Sequence, residues 1–382
     1  MNVFKPFRGM SFLVKCRHYG VCGGCQLQHL PYREQVELKV SRLEKLFGFE
    51  PHEVYESPRR FYYRNRMDYV VGPGHVVGLK ERGKWWRYVD LEECLLMSRE
   101  ADLAKNVFRE FIKAEGLEPW DAKAQRGFVR YLVIREGKFT GERMCTVVTF
   151  KPMEERDYRA LFSKFLGLLE ERGIEVTSLY WGLNPYVTDV SHSFETRLIH
   201  GAPLIRERLL GNTYLIGVNS FFQSNPYTAE LLVKKAVELL EPDGGKVYDL
   251  YCGVGTFSVE LGKHSKVVCV DSESEAIELL RENMRLNDVE GYEALNVKVE
   301  RLRKLDADKV LLDPPRSGLH PKAVKLLARS KPKTVVYVSC NPKTQKRDIT
   351  MLSRAGYKLE HLIFIDQFPQ TEHMETITLL RQ

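Results

Sequence analysis

The sequence lacks any run of about 18 uncharged apolar residues, which excludes a membrane-spanning helix. Met1 to Lys15 lack the apolar centre of a signal peptide, so a cytoplasmic protein is expected. The chain also lacks internal repeats and low-complexity segments. With 43% hydrophobic and 29% charged residues, it is neither disordered nor collagen-like. A strong charge bias is missing too: 58 Lys and Arg stand against 51 Asp and Glu, a net +7. That surplus permits a polyanionic partner without requiring one. What remains is 382 residues of globular composition, enough for two or three domains with their own cores.

Cysteine is present in number, at positions 16, 22, 25, 94, 145, 252, 269 and 340. In a reducing compartment these are not read as disulfides. Cys16, Cys22 and Cys25 cluster within CRHYGVCGGCQLQH, and Gly20, Gly23 and Gly24 leave the backbone free to wrap around a bound group. Three thiolates want a fourth ligand. Cys94, in the turn-like DLEECLLM, is the natural candidate, with His18 and His29 as rivals. Such a set suits zinc or a [4Fe–4S] cluster, although the spacing is not the paired CxxC of a zinc ribbon. Cys145 and Cys269 lie in apolar strand-like runs and read as core. Cys252 lies in a glycine-rich turn and reads as a small packing residue. Cys340, in VVYVSCNP, stands where a strand opens into a polar loop and is the candidate nucleophile.

From about residue 225, strands and helices alternate, which predicts a doubly wound α/β domain on a mostly parallel sheet. Asn225 and Pro226 read as the N-cap and first residue of a helix. Residues 60–220 alternate apolar and polar positions around one or two helices, an α+β pattern with antiparallel strands. Residues 31–47 form a basic amphipathic helix. The expected division is 1–27 with 60–219 as a central domain, 28–59 as a helical segment packed on the catalytic domain, and 220–382 as that catalytic domain.

In VYDLYCGVGTF, Asp249 ends a strand, and Gly253 and Gly255 let the backbone approach a ligand at the next helix. The following strand ends in Asp271, placed to accept both hydroxyls of a ribose. The pattern suits S-adenosylmethionine (SAM) as well as a dinucleotide. Three further tips should emerge at the same carboxyl edge of the sheet: Asp313-Pro314-Pro315-Arg316, the SCNP loop of Cys340, and FPQTEHMET with His373 and Glu375.

Together, C-x5-C-x2-C, D-x-Y-C-G-x-G-T-F, DPPR, SCNP and the terminal H-x-E resemble the SAM-dependent RNA uracil-C5 methyltransferases, over roughly residues 16–378. The resemblance implies a Rossmann-like SAM domain behind an α+β domain carrying a [4Fe–4S] cluster on Cys16, Cys22, Cys25 and Cys94. It implies Cys340 as nucleophile and Glu375 as base, where the residues alone do not separate Glu375 from Glu372. It further implies Gln223, Tyr251, Gly253, Gly255, Thr256 and Asp271 at the SAM site. Asp313 would orient the target base or contact the cofactor end of the pocket. The chemistry suits these residues, because C5 of uracil is a poor nucleophile until a thiolate adds at C6.

Residues 59–88 interleave cations, among them Arg64, Arg66 and Lys80, with aromatics including Tyr63, Trp85 and Trp86, as expected of a loop or single-strand RNA platform. An ordinary hairpin with a charged face would read the same. A buried cluster in that domain would act as a rigid staple rather than a redox centre. Cluster cysteines without an N-terminal RNA-binding barrel resemble the branch that methylates a 23S rRNA uridine. rRNA is therefore the expected substrate, tRNA (the T-loop uridine) the alternative, and a monomer the expected state. An adenine-N6 enzyme would carry an aromatic where Arg316 stands, and a cytosine-C5 enzyme a cysteine in the DPPR loop. A non-catalytic iron–sulfur RNA-binding protein or electron carrier has no need of Cys340 and Glu375.

Overall fold

A computed structural model describes residues 15–382. The chain builds two large sheets. The first holds β2 (Arg66–Gly72), β3 (Val76–Glu81), β4 (Lys84–Asp90), β5 (Val129–Glu136), β6 (Arg143–Thr149), β7 (Ser178–Leu183) and β8 (Glu195–Gly201), in the order β4-β3-β2-β5-β6-β7-β8. Every pairing is antiparallel except β6 with β7. There the helix α3 (Glu155–Glu171) carries the chain back across the sheet, so the two strands run the same way. With α2 (Arg99–Ala114), α3 buries an aromatic seam in which Phe108, Phe111, Phe162 and Phe165 meet. Ser98 caps α2 by accepting the Ala101 N–H at 3.0 Å.

The second sheet has eight strands. They are β1 (Glu53–Tyr55), β11 (Lys246–Leu250), β12 (Lys266–Asp271), β13 (Glu293–Asn296), β14 (Lys309–Leu312), β15 (Thr334–Ser339), β16 (Lys358–Ile365) and β17 (Glu375–Arg381). Their order is β1-β16-β17-β15-β14-β11-β12-β13, parallel apart from β17, which runs antiparallel to both neighbours. The apolar runs are buried on both faces, as a covered parallel sheet requires. The helices α4 (Pro226–Leu240), α5 (Ser258–Gly262), α6 (Ser274–Leu286), α7 (Pro321–Ser330) and α8 (Pro342–Ser353) cover it, and a small hairpin of β9 (Ile205–Leu209) and β10 (Asn212–Ile216) leads into α4. This is a doubly wound α/β fold with one antiparallel strand, as expected. Among the described residues no helix is long and apolar enough to cross a membrane.

Helix α1 (Tyr32–Phe47) ends at Gly48, whose φ of +90° provides the left-handed cap. Its buried face, Tyr32, Val36, Leu43 and Phe47, joins the cluster around Tyr337 and Leu352 of the eight-stranded sheet. Lys39 reaches 2.6 Å from Asp366, both side chains fully buried, and also donates to the Phe368 carbonyl. This fastens the loop between β16 and β17. Asn225 does precede α4, with Pro226 as its first residue, but its side chain does not cap the helix. It donates to the Gln367 carbonyl at 3.1 Å instead, binding α4 to that same loop.

Candidate active site

The carboxyl ends of β11, β12, β14 and β15 and the start of β17 surround one cavity of about 1050 Å³. Of the residues expected at a SAM site, it is lined by Gln223, Tyr251, Gly253, Thr256, Asp271 and Asp313. Cys340 and Glu375 line it as well. Gly255 does not. It turns the chain at φ +88°, and a Cβ there would press within 3.2 Å of Leu280 on α6, so its role is close packing of turn on helix.

The glycine turn is held from the neighbouring strand. Tyr251 N–H donates to the Val270 carbonyl at 2.8 Å. Gly253 N–H donates to one oxygen of Asp271 and Glu273 N–H to the other, at 2.9 and 3.0 Å. Asp271 thus braces the turn with both oxygens and keeps lone pairs for a ligand. Tyr251 has φ +65°, a left-handed conformation costing a bulky residue about 1 kcal/mol or more, and such strain concentrates at binding turns.

At the other end stand the reactive groups. Cys340 follows β15 directly, and burial pushes its thiol up to about 12, helped by the charges of Glu375 and Asp313 and opposed by Arg316. Glu375 opens β17, is 3% exposed, and is raised well above the carboxylate range by burial and by Asp313. Asp313 is raised to about 8, mainly by burial and then by Asp249, while a hydrogen bond from Gln223 works the other way. Three mutually repelling acids buried at one end of the cavity are poised to hold protons rather than shed them.

Gln223 is oriented by a residue that no sequence motif singles out. Gln367, fully buried, donates from Nε2 to the Gln223 oxygen at 3.1 Å, and Gln223 Nε2 then donates to Asp313 at 3.2 Å. Thr228 donates to the Gln367 oxygen, which sets the direction of the whole relay. His373 sits beside the cavity, 3.3 Å from the Arg316 guanidinium, and burial followed by Arg316 lowers it to about 4.

The cysteine segment lies between the two sheets. Gly23 N–H donates to the Lys80 carbonyl at the end of β3, while Gln26 and Leu27 N–H both donate to the Gln370 carbonyl in the loop before β17. Cys22 and Cys94 are buried, and Cys16 and Cys25 are half-buried. Burial pushes Cys22 up to about 11 and Cys25 to about 12, and each is raised further by Cys94 and Cys16, so the four thiols share one neighbourhood. Among the described residues, however, no three Cys, His, Asp or Glu side chains form a group able to hold a metal ion. Cys145 and Cys269 are fully buried in the cores, and Cys252 is 4% exposed behind the glycine turn.

A family model for tRNA (uracil-5-)-methyltransferases matches residues 191–382. A tRNA (uracil(54)-C(5))-methyltransferase of Pyrococcus horikoshii is 44% identical, aligned over 96% of this chain and 85% of its own length. A 23S rRNA (uracil(747)-C(5))-methyltransferase of Pyrococcus abyssi is 35% identical over the same shares. The crystal structure of the Pyrococcus abyssi tRNA (uracil-54, C5)-methyltransferase with S-adenosyl-L-homocysteine superposes with a TM-score of 0.78 at 40% identity, covering 94% of this chain and 85% of that one.

Proposed function

Because the chain belongs to the tRNA (uracil-5-)-methyltransferase family of SAM-dependent RNA uracil-C5 methyltransferases, we propose that its substrate is the T-loop uridine of tRNA, position 54 in its relatives' names. The 23S rRNA uridine expected from the arrangement of domains takes second place, since the tRNA relative is 44% identical and the rRNA relative 35%. The observation that carries the chemistry is the convergence of Cys340, Glu375, Asp313 and Gln223 with the Asp271-braced turn on one cavity.

Held by the glycine turn and Asp271, SAM would supply an electrophilic methyl group and leave as S-adenosyl-L-homocysteine. Cys340 Sγ adds to C6 of the flipped uracil and pushes electrons towards C5, which takes the methyl. Glu375, which must also lose its resting proton as substrate binds, then removes the C5 proton, and the S–C6 bond breaks to restore the ring and release Cys340 as thiolate. Gln223 and Asp313 orient the base. Burial keeps the resting thiol protonated, so binding of substrate must accompany loss of that proton.

Cys16, Cys22, Cys25 and Cys94 are read as the holders of a [4Fe–4S] cluster. Arg64 supports this fit: its Nε is closed to solvent and has no acceptor, beside Cys94 and Cys25. An anionic thiolate cluster would offset that cation. Its position between the sheets favours a structural staple. The test of the function is tritiated-methyl transfer from SAM to tRNA and to 23S rRNA transcripts. Label in tRNA 5-methyluridine, lost in Cys340→Ala, is expected. Label confined to rRNA would overturn the tRNA assignment, and label in cytosine the reaction.

A further inference from the structure

The segment between β7 and β8, residues 184–194, holds aromatic rings out in water. Tyr186 is 54% exposed and Phe194 52%. The Phe194 ring meets Tyr186 at 4.6 Å and His192 at 4.9 Å, both edge-on, so the three form one ledge. A loose loop would fold such rings inward. This one is held open by a buried cation. Arg130 of β5 is 1% exposed, and its guanidinium stacks over Trp120, 4.7 Å from the ring centroid. It donates to the carbonyls of Asn184 (2.9 Å), Tyr186 (2.6 Å) and Thr188, three acceptors on this one loop. Desolvating a guanidinium in order to shape a surface loop is costly unless that shape is used.

The ledge is tied to the catalytic cavity. Asn219 accepts from Ser193 N–H at 3.0 Å and donates to the Ser193 carbonyl at 2.9 Å. Two residues further on, Phe221, 63% exposed, lines the catalytic cavity, and Gln223 follows inside it. On the other side of the loop, Val190, His192 and Asn219 line a second cavity of about 640 Å³ together with Arg66, Lys80 and Tyr131. Apolar rings therefore flank both the catalytic rim and a groove in which Arg66 and Lys80 are paired with Asp68 and Asp189.

Resting on the RNA uracil reading, we infer that this Arg130-shaped ledge stacks the unpaired nucleobases next to the flipped uridine. Flipping removes a stacking partner from each neighbour, and a fixed aromatic surface at the cavity mouth replaces it without reading sequence. Continuity with the catalytic cavity, through Asn219 and Phe221, favours RNA as the occupant.

The test uses the full chain and whichever RNA the wild type methylates, with 5-iodouridine placed on either side of the target for photocrosslinking. A crosslink to the peptide carrying Tyr186 or Phe194 is expected. Phe194→Ala should weaken RNA binding roughly tenfold or more with an unchanged salt dependence. Phe194→Trp should bind as tightly as wild type. Crosslinks elsewhere, together with wild-type affinity in Phe194→Ala, would overturn the inference. So would unchanged RNA affinity accompanied by loss of a dimer in sedimentation, which would assign the ledge to a second copy of the chain. Failure of the wild type to methylate any RNA would instead remove the functional reading itself.

Discussion

Asp313 carries a pH signature that separates its catalytic value from its cost to the fold. Its carboxyl rises from an ordinary 3.8 to about 8 in the folded chain, chiefly through burial. Below pH 4 both folded and unfolded forms are protonated, and the group has no effect on stability. Between 4 and 8 the unfolded chain ionises first, so stability falls as pH rises and levels off above 8. Asp313→Asn should therefore be more stable than wild type, by a margin that grows from pH 4 to pH 8 in thermal melts, while methyl transfer is lost. A margin independent of pH would show that Asp313 is not held protonated. Gln367 makes a second residue-scale prediction. Gln367→Glu removes the donor that faces the Gln223 oxygen, so Gln223 turns its amide round and presents oxygen where it now presents N–H. Transfer should fall about tenfold or more, further than in Gln367→Met, because misdirecting a buried polar group costs more than deleting its partner. Equal losses would reduce Gln367 to a space-filler. Cys340 was legible beforehand because a cysteine at a strand exit is conspicuous. Glu375 was separated from Glu372 only through a resemblance, and Gln367 not at all, since its partners, Thr228 and Gln223, lie far away in sequence.

Among the elements, periodicity revealed most strands and helices of both sheets, but the segment 28–59, expected to be helical, also contributes β1, whose three residues pair with β16 and are too few to show a period, and two further details escaped it. The parallel pairing of β6 with β7 follows from the crossover through α3, which local alternation does not encode. The helix after the glycine turn is only Ser258–Gly262, because Thr256 and Phe257 belong to the turn that shapes the cavity. Helix α1 was legible as amphipathic, but the sequence did not reveal that its one fully buried lysine anchors the loop before β17. Lys39→Met should leave Asp366 buried without its partner and lower unfolding free energy by about 3–5 kcal/mol. Lys39→Met/Asp366→Leu should recover most of it in urea titrations. If the single variant is as stable as wild type, the pair is not what secures α1.

At the scale of the molecule, the net +7 said little about the substrate, and placement says more. The stretch around Trp85 and Trp86, which drew attention as an RNA platform, does expose both rings, at 56% and 47%. The ledge at 184–194 is bonded to the segment that enters the catalytic cavity, and composition does not reveal it because its charge is hidden underneath, in Arg130. The cysteine segment bonds both to the end of β3 and to the loop before β17, the strand that Glu375 opens, so it ties one sheet to the other beside the cavity. The central claim remains the covalent one, that Cys340 adds to C6 of the target uracil. Its direct test is mass spectrometry of the chain incubated with SAM and a T-loop hairpin carrying 5-fluorouridine at the target, where fluorine cannot leave as a proton and the adduct persists. The account predicts RNA attached to the peptide containing Cys340 and none in Cys340→Ala. Attachment at another residue, or no adduct while the uridine hairpin is methylated, would contradict it.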